Sequence, residues 1–145
     1  MKVGIIGVGA IGAIHADAYK TLKDVELAAI CDVNEERLKS EAARLGIKQT
    51  FTDYKELLKT DVEAVSVCVG NTLHNPVAVA ALKAGKHVLL EKPMAMNAKQ
   101  AAEIVQTAKK MKRNLQIGMV YRQRPAVQLA REYVEKGLVG EIYHM

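Results

Sequence analysis

The 145-residue chain has no tryptophan, one phenylalanine, two cysteines and three prolines. Only six aromatics (Phe51 and five tyrosines) are present, so a core must be built from Ala, Val, Leu, Ile and Met. The same scarcity removes the stacking platform that single-stranded nucleic acid needs. Cys31 and Cys68 lie in apolar runs without metal-ligand spacing, which predicts buried, reduced thiols and no metal site. No run reaches the roughly eighteen apolar residues of a membrane span. The opening "MKVGIIGVGAIGAI" has a lysine before an apolar stretch, but its four ordered glycines and the lack of a cleavage pattern exclude a signal peptide. The expectation is a cytoplasmic protein with no membrane partner.

The length suits one ordinary domain, and half the residues are apolar. The formal charge is +5, which raises nucleic acid as a partner. The densest basic group, Lys109, Lys110, Lys112 and Arg113, falls instead where a helix ends and cations offset its dipole. The charge therefore predicts no nucleic-acid partner and suits an anionic ligand.

Short β-rich runs alternate with helical patterns. The strand candidates are 2–7, 25–31, 50–51, 64–69, 87–90 and 115–119. Several are continuous apolar runs, as in parallel strands covered on both faces. Between them, Ile11, Ile14, Ala18 and Leu22 share one helical face. Asn34 predicts a helix start, Leu38, Ala42 and Leu45 a buried stripe, and Gly46 a stop. Asp53 with Glu56, Asn75 with Pro76, and Asn97 with Gln100 predict three more starts, and Gly85 a further stop. This alternation predicts a doubly wound α/β domain with a parallel sheet over residues 1–120.

The first strand runs into Gly7-Val-Gly9-Ala-Ile-Gly12 and then a helix, which is the context a dinucleotide needs. Gly7 permits the turn, Gly9 the approach of a pyrophosphate, and Gly12 close helix–strand packing. Ala10 and Ile11 open the helix whose free N–H groups face the phosphates. Asp32, twenty residues beyond Gly12, can accept hydrogen bonds from ribose hydroxyls. A 2′-phosphate meets like charge there, and Val33 and Asn34, not an arginine, follow; the first arginine is Arg37. NAD is expected in preference to NADP. Ligands of such sheets lie beyond the carboxyl ends of the strands, where Asn71, His74, Glu91, Lys92 and Pro93 fall.

The segments "GIIGVGAIGAIHADAY", "AICDVNEER", "NTLHNPVAVAALKAGKHVLLEKPMA" and "GLVGEI" resemble the N-terminal Rossmann domain of the Gfo/Idh/MocA oxidoreductases, the glucose–fructose oxidoreductase and inositol dehydrogenase family. The resemblance implies that Lys92 touches substrate hydroxyl and nicotinamide ribose and is catalytic. It also implies that Pro93 walls the nicotinamide, that Glu91 holds the strand end and cofactor, and that Asn71 and His74 line the cofactor loop. Arg122 matches an arginine near the family's domain junction. Val69 and Gly70 replace the family's Thr-Pro, and Gln123 replaces an aromatic residue. The family's second α/β domain contributes an Asp-x-x-x-His pair that does not occur after Pro93 here. Residues 121–145 accordingly read as a junction helix and the first strand, 140–145, of a substrate domain that is cut off. His15 and His87 read as structural.

The function expected is the nucleotide-binding part of an oxidoreductase moving a hydride between nicotinamide and a sugar, cyclitol or related polyol. The partners expected are that small-molecule substrate and further copies of the chain in a homo-oligomer, and the chain by itself is expected to be inactive. The alternative is a non-catalytic NAD-sensing module, which has no use for Lys92 and Pro93 at the crevice.

Overall fold

The structure is a computed structural model that describes residues 1–143. Six parallel strands form one sheet: β1 (Lys2–Ile6), β2 (Glu26–Cys31), β3 (Gln49–Phe51), β4 (Ala64–Val67), β5 (His87–Leu90) and β6 (Leu115–Ile117), in the order β3-β2-β1-β4-β5-β6. The strand order reverses between β1 and β4, which opens a crevice above their carboxyl ends. The predicted α/β class and all six strands are present, several of them one or two residues shorter than the apolar runs.

Helices α1 (Ala10–Lys20) and α2 (Glu35–Leu45) cover one face of the sheet, around Ile5, Val8, Ala16, Ile30 and Leu38. The other face is covered by α3 (Tyr54–Leu58), α4 (His74–Lys83) and α5 (Ala98–Met111), around Leu57, Val67, Val77, Leu90 and Ile104. Burial on both faces accounts for the continuous apolar runs.

Most helix ends follow the sequence signals. The Asn34, Asp53 and Asn97 side chains accept from the backbone N–H of Arg37, Lys55 and Gln100. Gly46 closes α2 in the left-handed conformation. One expectation is corrected. Helix α4 begins at His74 rather than at Pro76, because a 3-10 turn over Asn71–Leu73 runs straight into it. The Asn75 side chain instead donates to the Gln100 carbonyl and Glu103. The apolar face of α1 noted in the sequence is turned to solvent: Ile11 and Ile14 are 45% and 63% exposed, as is Leu22 just past the helix at 51%, while Gly12 and Ala16 face the sheet. A Cβ on Gly12 would stand 1.9 Å from the Gly7 carbonyl oxygen, so only the helix's small side can approach β1.

A short 3-10 turn and α6 (Pro125–Glu135) follow β6. No residue of α6 is buried. Residues 140–143 are not in a strand, and His144 and Met145, the rest of the expected strand, lie outside the described residues. No helix among the described residues is long and apolar enough to cross a membrane.

Candidate functional site

The carboxyl edge of the sheet brings together the ends of four strands, β1, β2, β4 and β5. At the end of β1, Gly7 has φ +92°, and its N–H donates to the Cys31 carbonyl at 2.7 Å. A Cβ there would lie 2.6 Å from the Cys68 carbonyl oxygen, so both conformation and space require glycine. Gly9 caps α1 without a side chain, and Ala10 and Ile11 are exposed as its first residues. Helix geometry leaves their N–H groups without intrahelical partners. The glycine loop thus keeps the start of α1 free of side chains, with Gly12 fixing the depth of the helix.

Asp32 ends β2 and is buried, 7% exposed. Its Oδ2 accepts from the Val8 N–H at 3.0 Å and its Oδ1 from the Asn34 N–H at 2.9 Å. Arg37 folds back from the first turn of α2 and donates to Asp32 Oδ2 at 3.2 Å. A Cβ on Gly9 would lie 3.8 Å from Arg37 Nη1, so this guanidinium stands over both the loop and the acid. Arg37, the first arginine after Asp32 in the sequence, is thus the acid's ion-pair partner despite standing five residues beyond it. The signal was the helical turn at Asn34, which brings the fifth residue back. A cavity of about 280 Å³ opens here, lined by Gly7, Gly9, Asp32, Arg37, Tyr54 and Leu73 among others.

Cys31 and Cys68 also line this cavity. Both are free, and burial pushes each thiol up to about 12, with Asp32 adding to Cys31 and Glu91 to Cys68. Neither is a nucleophile at neutral pH. No group of His, Cys, Asp and Glu that could hold a metal occurs among the described residues.

The end of β4 adds Val69, Gly70 and Leu73 to this cavity, whereas Glu91, Lys92 and Pro93 after β5 lie outside its lining. Asn71 is exposed on the 3-10 turn after β4. Lys92 and Pro93 are exposed just beyond β5, joined by a cis peptide bond, whereas Glu91 before them is buried. His74 is 1% exposed and does not line the cavity. Its Nδ1 donates to the Pro93 carbonyl at 2.6 Å, and its Nε2 lies 3.0 Å from the Val69 carbonyl oxygen. It therefore ties the loop after β4 to the loop after β5.

Glu91 has partners that no sequence spacing pointed to. Its Oε1 accepts from His15 Nε2 at 3.1 Å, and its Oε2 from the Lys92 N–H at 3.1 Å. His15 Nδ1 lies 3.1 Å from Ser66 Oγ, which lies 2.6 Å from Tyr19 Oη. Burial raises the Tyr19 hydroxyl above its ordinary range. Gly118 completes the surround, since a Cβ on it would meet Glu91 Oε1 at 2.8 Å. Arg122 lies apart, in a groove along β6 with Ile117, Gly118 and Gln123.

A parallel sheet with this strand order, a glycine cradle at a helix start and an acid at the end of β2 define a dinucleotide-binding Rossmann domain. Comparison with known proteins agrees: residues 1–119 match the Gfo/Idh/MocA oxidoreductase family, NAD-binding Rossmann fold. The chain belongs to that family. It is 36% identical over 142 residues to a myo-inositol 2-dehydrogenase of Thermotoga maritima, covering 97% of this chain and 42% of that protein. It is 37% identical over 145 residues to a D-glucoside 3-dehydrogenase of Escherichia coli, covering 99% and 41%. A crystal structure of scyllo-inositol dehydrogenase from Lactobacillus casei, with bound NAD(H) and scyllo-inositol, superposes with a TM-score of 0.92 at 28% identity, covering 98% and 43%. The chain thus spans about two fifths of the length of the relatives it matches.

Proposed function

We propose that this chain is the cofactor-binding part of an NAD-dependent oxidoreductase acting on a sugar, cyclitol or related polyol. One observation carries the reading: the glycine cradle, Asp32 and an exposed Lys92 all stand at the carboxyl edge of one sheet, on either side of the strand-order reversal. The cradle residues fit a pyrophosphate, because Gly7, Gly9 and Gly12 keep backbone N–H groups open where side chains would fill the space. Bound NAD supplies the hydride acceptor for oxidation of a carbinol carbon. Lys92 donates a hydrogen bond to the reacting hydroxyl and favours release of its proton, while Pro93 and Asn71 border the nicotinamide side. The relatives named as inositol and glucoside dehydrogenases support a polyol substrate. A non-catalytic sensor would leave Lys92 idle at the crevice.

NAD rather than NADP is proposed because Asp32 accepts hydrogen bonds and cannot donate one. Two ribose hydroxyls can donate to it; a 2′-phosphate cannot and carries like charge. Arg37 offsets part of that charge, so the preference is one of degree. The exposed apolar residues of α1 and α6 support assembly into a homo-oligomer.

Calorimetric titration of the chain with NAD and NADP in parallel tests the proposal. Tighter binding of NAD is expected. Equal or tighter binding of NADP overturns the cofactor preference, and binding of neither overturns the role of the cradle.

A further inference from the structure

Lys92 stands between two residues that are each fastened to a histidine, and the two histidines come from opposite faces of the sheet. On the α1 face, His15 holds the Glu91 carboxylate at 3.1 Å. On the α4 face, His74 holds the Pro93 carbonyl at 2.6 Å. We infer that His15 and His74 are positioning residues that clamp the flanks of Lys92 and so set where its ammonium reaches into the crevice. This inference rests on the reading of Lys92 as the cation of the reaction centre.

The chemistry of the two contacts assigns their protons. A carboxylate only accepts, so His15 carries its proton on Nε2. In the neutral imidazole that leaves Nδ1 to accept from the Ser66 hydroxyl, and Ser66 Oγ to accept from Tyr19. Tyr19, Ser66 and His15 therefore form a directed chain that ends on Glu91. Ser66 is fully buried, and the His15 side chain is 14% exposed, so water does not replace these partners. Both His74 ring nitrogens face carbonyls that only accept, and the shorter contact, 2.6 Å to Pro93 against 3.0 Å to Val69, favours the proton on Nδ1.

The clamp also accounts for the placement of Glu91. A buried carboxylate without partners is costly, and its two oxygens are taken up by His15 and by the Lys92 N–H. Its carboxylate thereby joins α1 to the backbone of Lys92 itself. Gly118 leaves room for this arrangement and for no side chain of its own. A side chain as long and free as lysine loses catalytic placement when its backbone wanders by an ångström, so fixing both neighbours is the economical way to aim it.

Backbone order parameters of the Lys92 and Met94 amides, measured by nitrogen relaxation on the full chain without cofactor, test the clamp. In the wild type both are expected near the rigid value of about 0.85, and His15→Leu and His74→Leu are each expected to bring them toward about 0.6. His15→Gln, which keeps an N–H at the Nε2 position, is expected to restore the wild-type values where leucine does not. Unchanged values in both leucine variants, or equal behaviour of His15→Leu and His15→Gln, overturn the inference in favour of plain packing. Should the leucine variants not fold, the imidazole nitrogen spectrum of the wild type decides. Protons on His15 Nε2 and His74 Nδ1 support the clamp, and the absence of either overturns it. None of these readouts requires NAD, so failure of the clamp and failure of cofactor binding are separate results.

Discussion

Helices α5 and α6 show how differently one local grammar can end. Each is amphipathic and opens on a recognisable signal, Asn97 accepting from Gln100 N–H in α5 and Pro125 in the first turn of α6. Helix α5 then buries Ile104 and Ala108 against the sheet. Helix α6 buries nothing and leaves Val127, Leu129, Tyr133 and Val134 about half exposed. It is held by ion pairs within itself, Arg131 to Glu135 and Lys136 to Glu132, and by Arg124 lying 4.1 Å from the centre of the Tyr121 ring. Local signals decide where a helix starts and stops. Whether it is stable is decided by what covers its apolar side, and eleven residues alone are marginal.

The sharpest way to break this contrast is at the glycines. Gly12→Val forces a Cβ into the Gly7 carbonyl, and a loss of about 3 kcal/mol or more is expected in urea denaturation. Gly137→Ala, past the end of α6, has φ +69° and nothing nearby, and is expected to cost about 1 kcal/mol. The same deletion placed in the two helices comes next. Ile104→Ala is expected to cost about 3 kcal/mol, and Leu129→Ala less than about 0.5 kcal/mol. Comparable losses in α5 and α6 would mean that α6 is packed after all.

Binding gives a third contrast. Asp32→Ala is expected to weaken NAD roughly tenfold or more, because a charged acceptor is lost. Removal of residues 124–145 is expected to leave the affinity within about twofold, since the cradle and Asp32 lie wholly in the sheet body. Parallel calorimetric titrations check both. The smallest effect is one of pH. Cys31 and Cys68 are raised in the folded chain from 9.0 to about 12, so their contribution to stability is full below pH 9. It is lost as pH rises through 9 toward about 12, because the unfolded chain ionises first. Denaturation midpoints should fall over that window, and a Cys31→Ala, Cys68→Ala double variant should show a shallower fall.

How much of this was legible in the sequence follows the range of the interactions. Asn34, Gly46 and Asn97 act within a few residues, and each does what its type and place suggest. Asp32 is legible because strand, loop and helix fix its distance from Gly12. The facing of α1 was not legible: helical spacing identified the apolar stripe, but the fit of Gly12 against Gly7 decided which side meets the sheet. The links from His15 to Glu91 and from His74 to Pro93 span 76 and 19 residues and depend on which strands are neighbours. Gly118 is invisible for the same reason, since its need to be glycine comes from the Glu91 carboxylate.

The central claim is that one crevice joins the glycine loop, Asp32 and Lys92 into a single NAD site. Amide chemical shifts recorded while NAD is added to the nitrogen-labelled chain test it most directly. The account predicts that Gly7, Gly9, Ala10, Ile11, Gly12, Asp32, Asn71 and Lys92 move together with one affinity, while α6 does not. Shifts absent from both the loop and Lys92, or confined to residues 120–143, would contradict it.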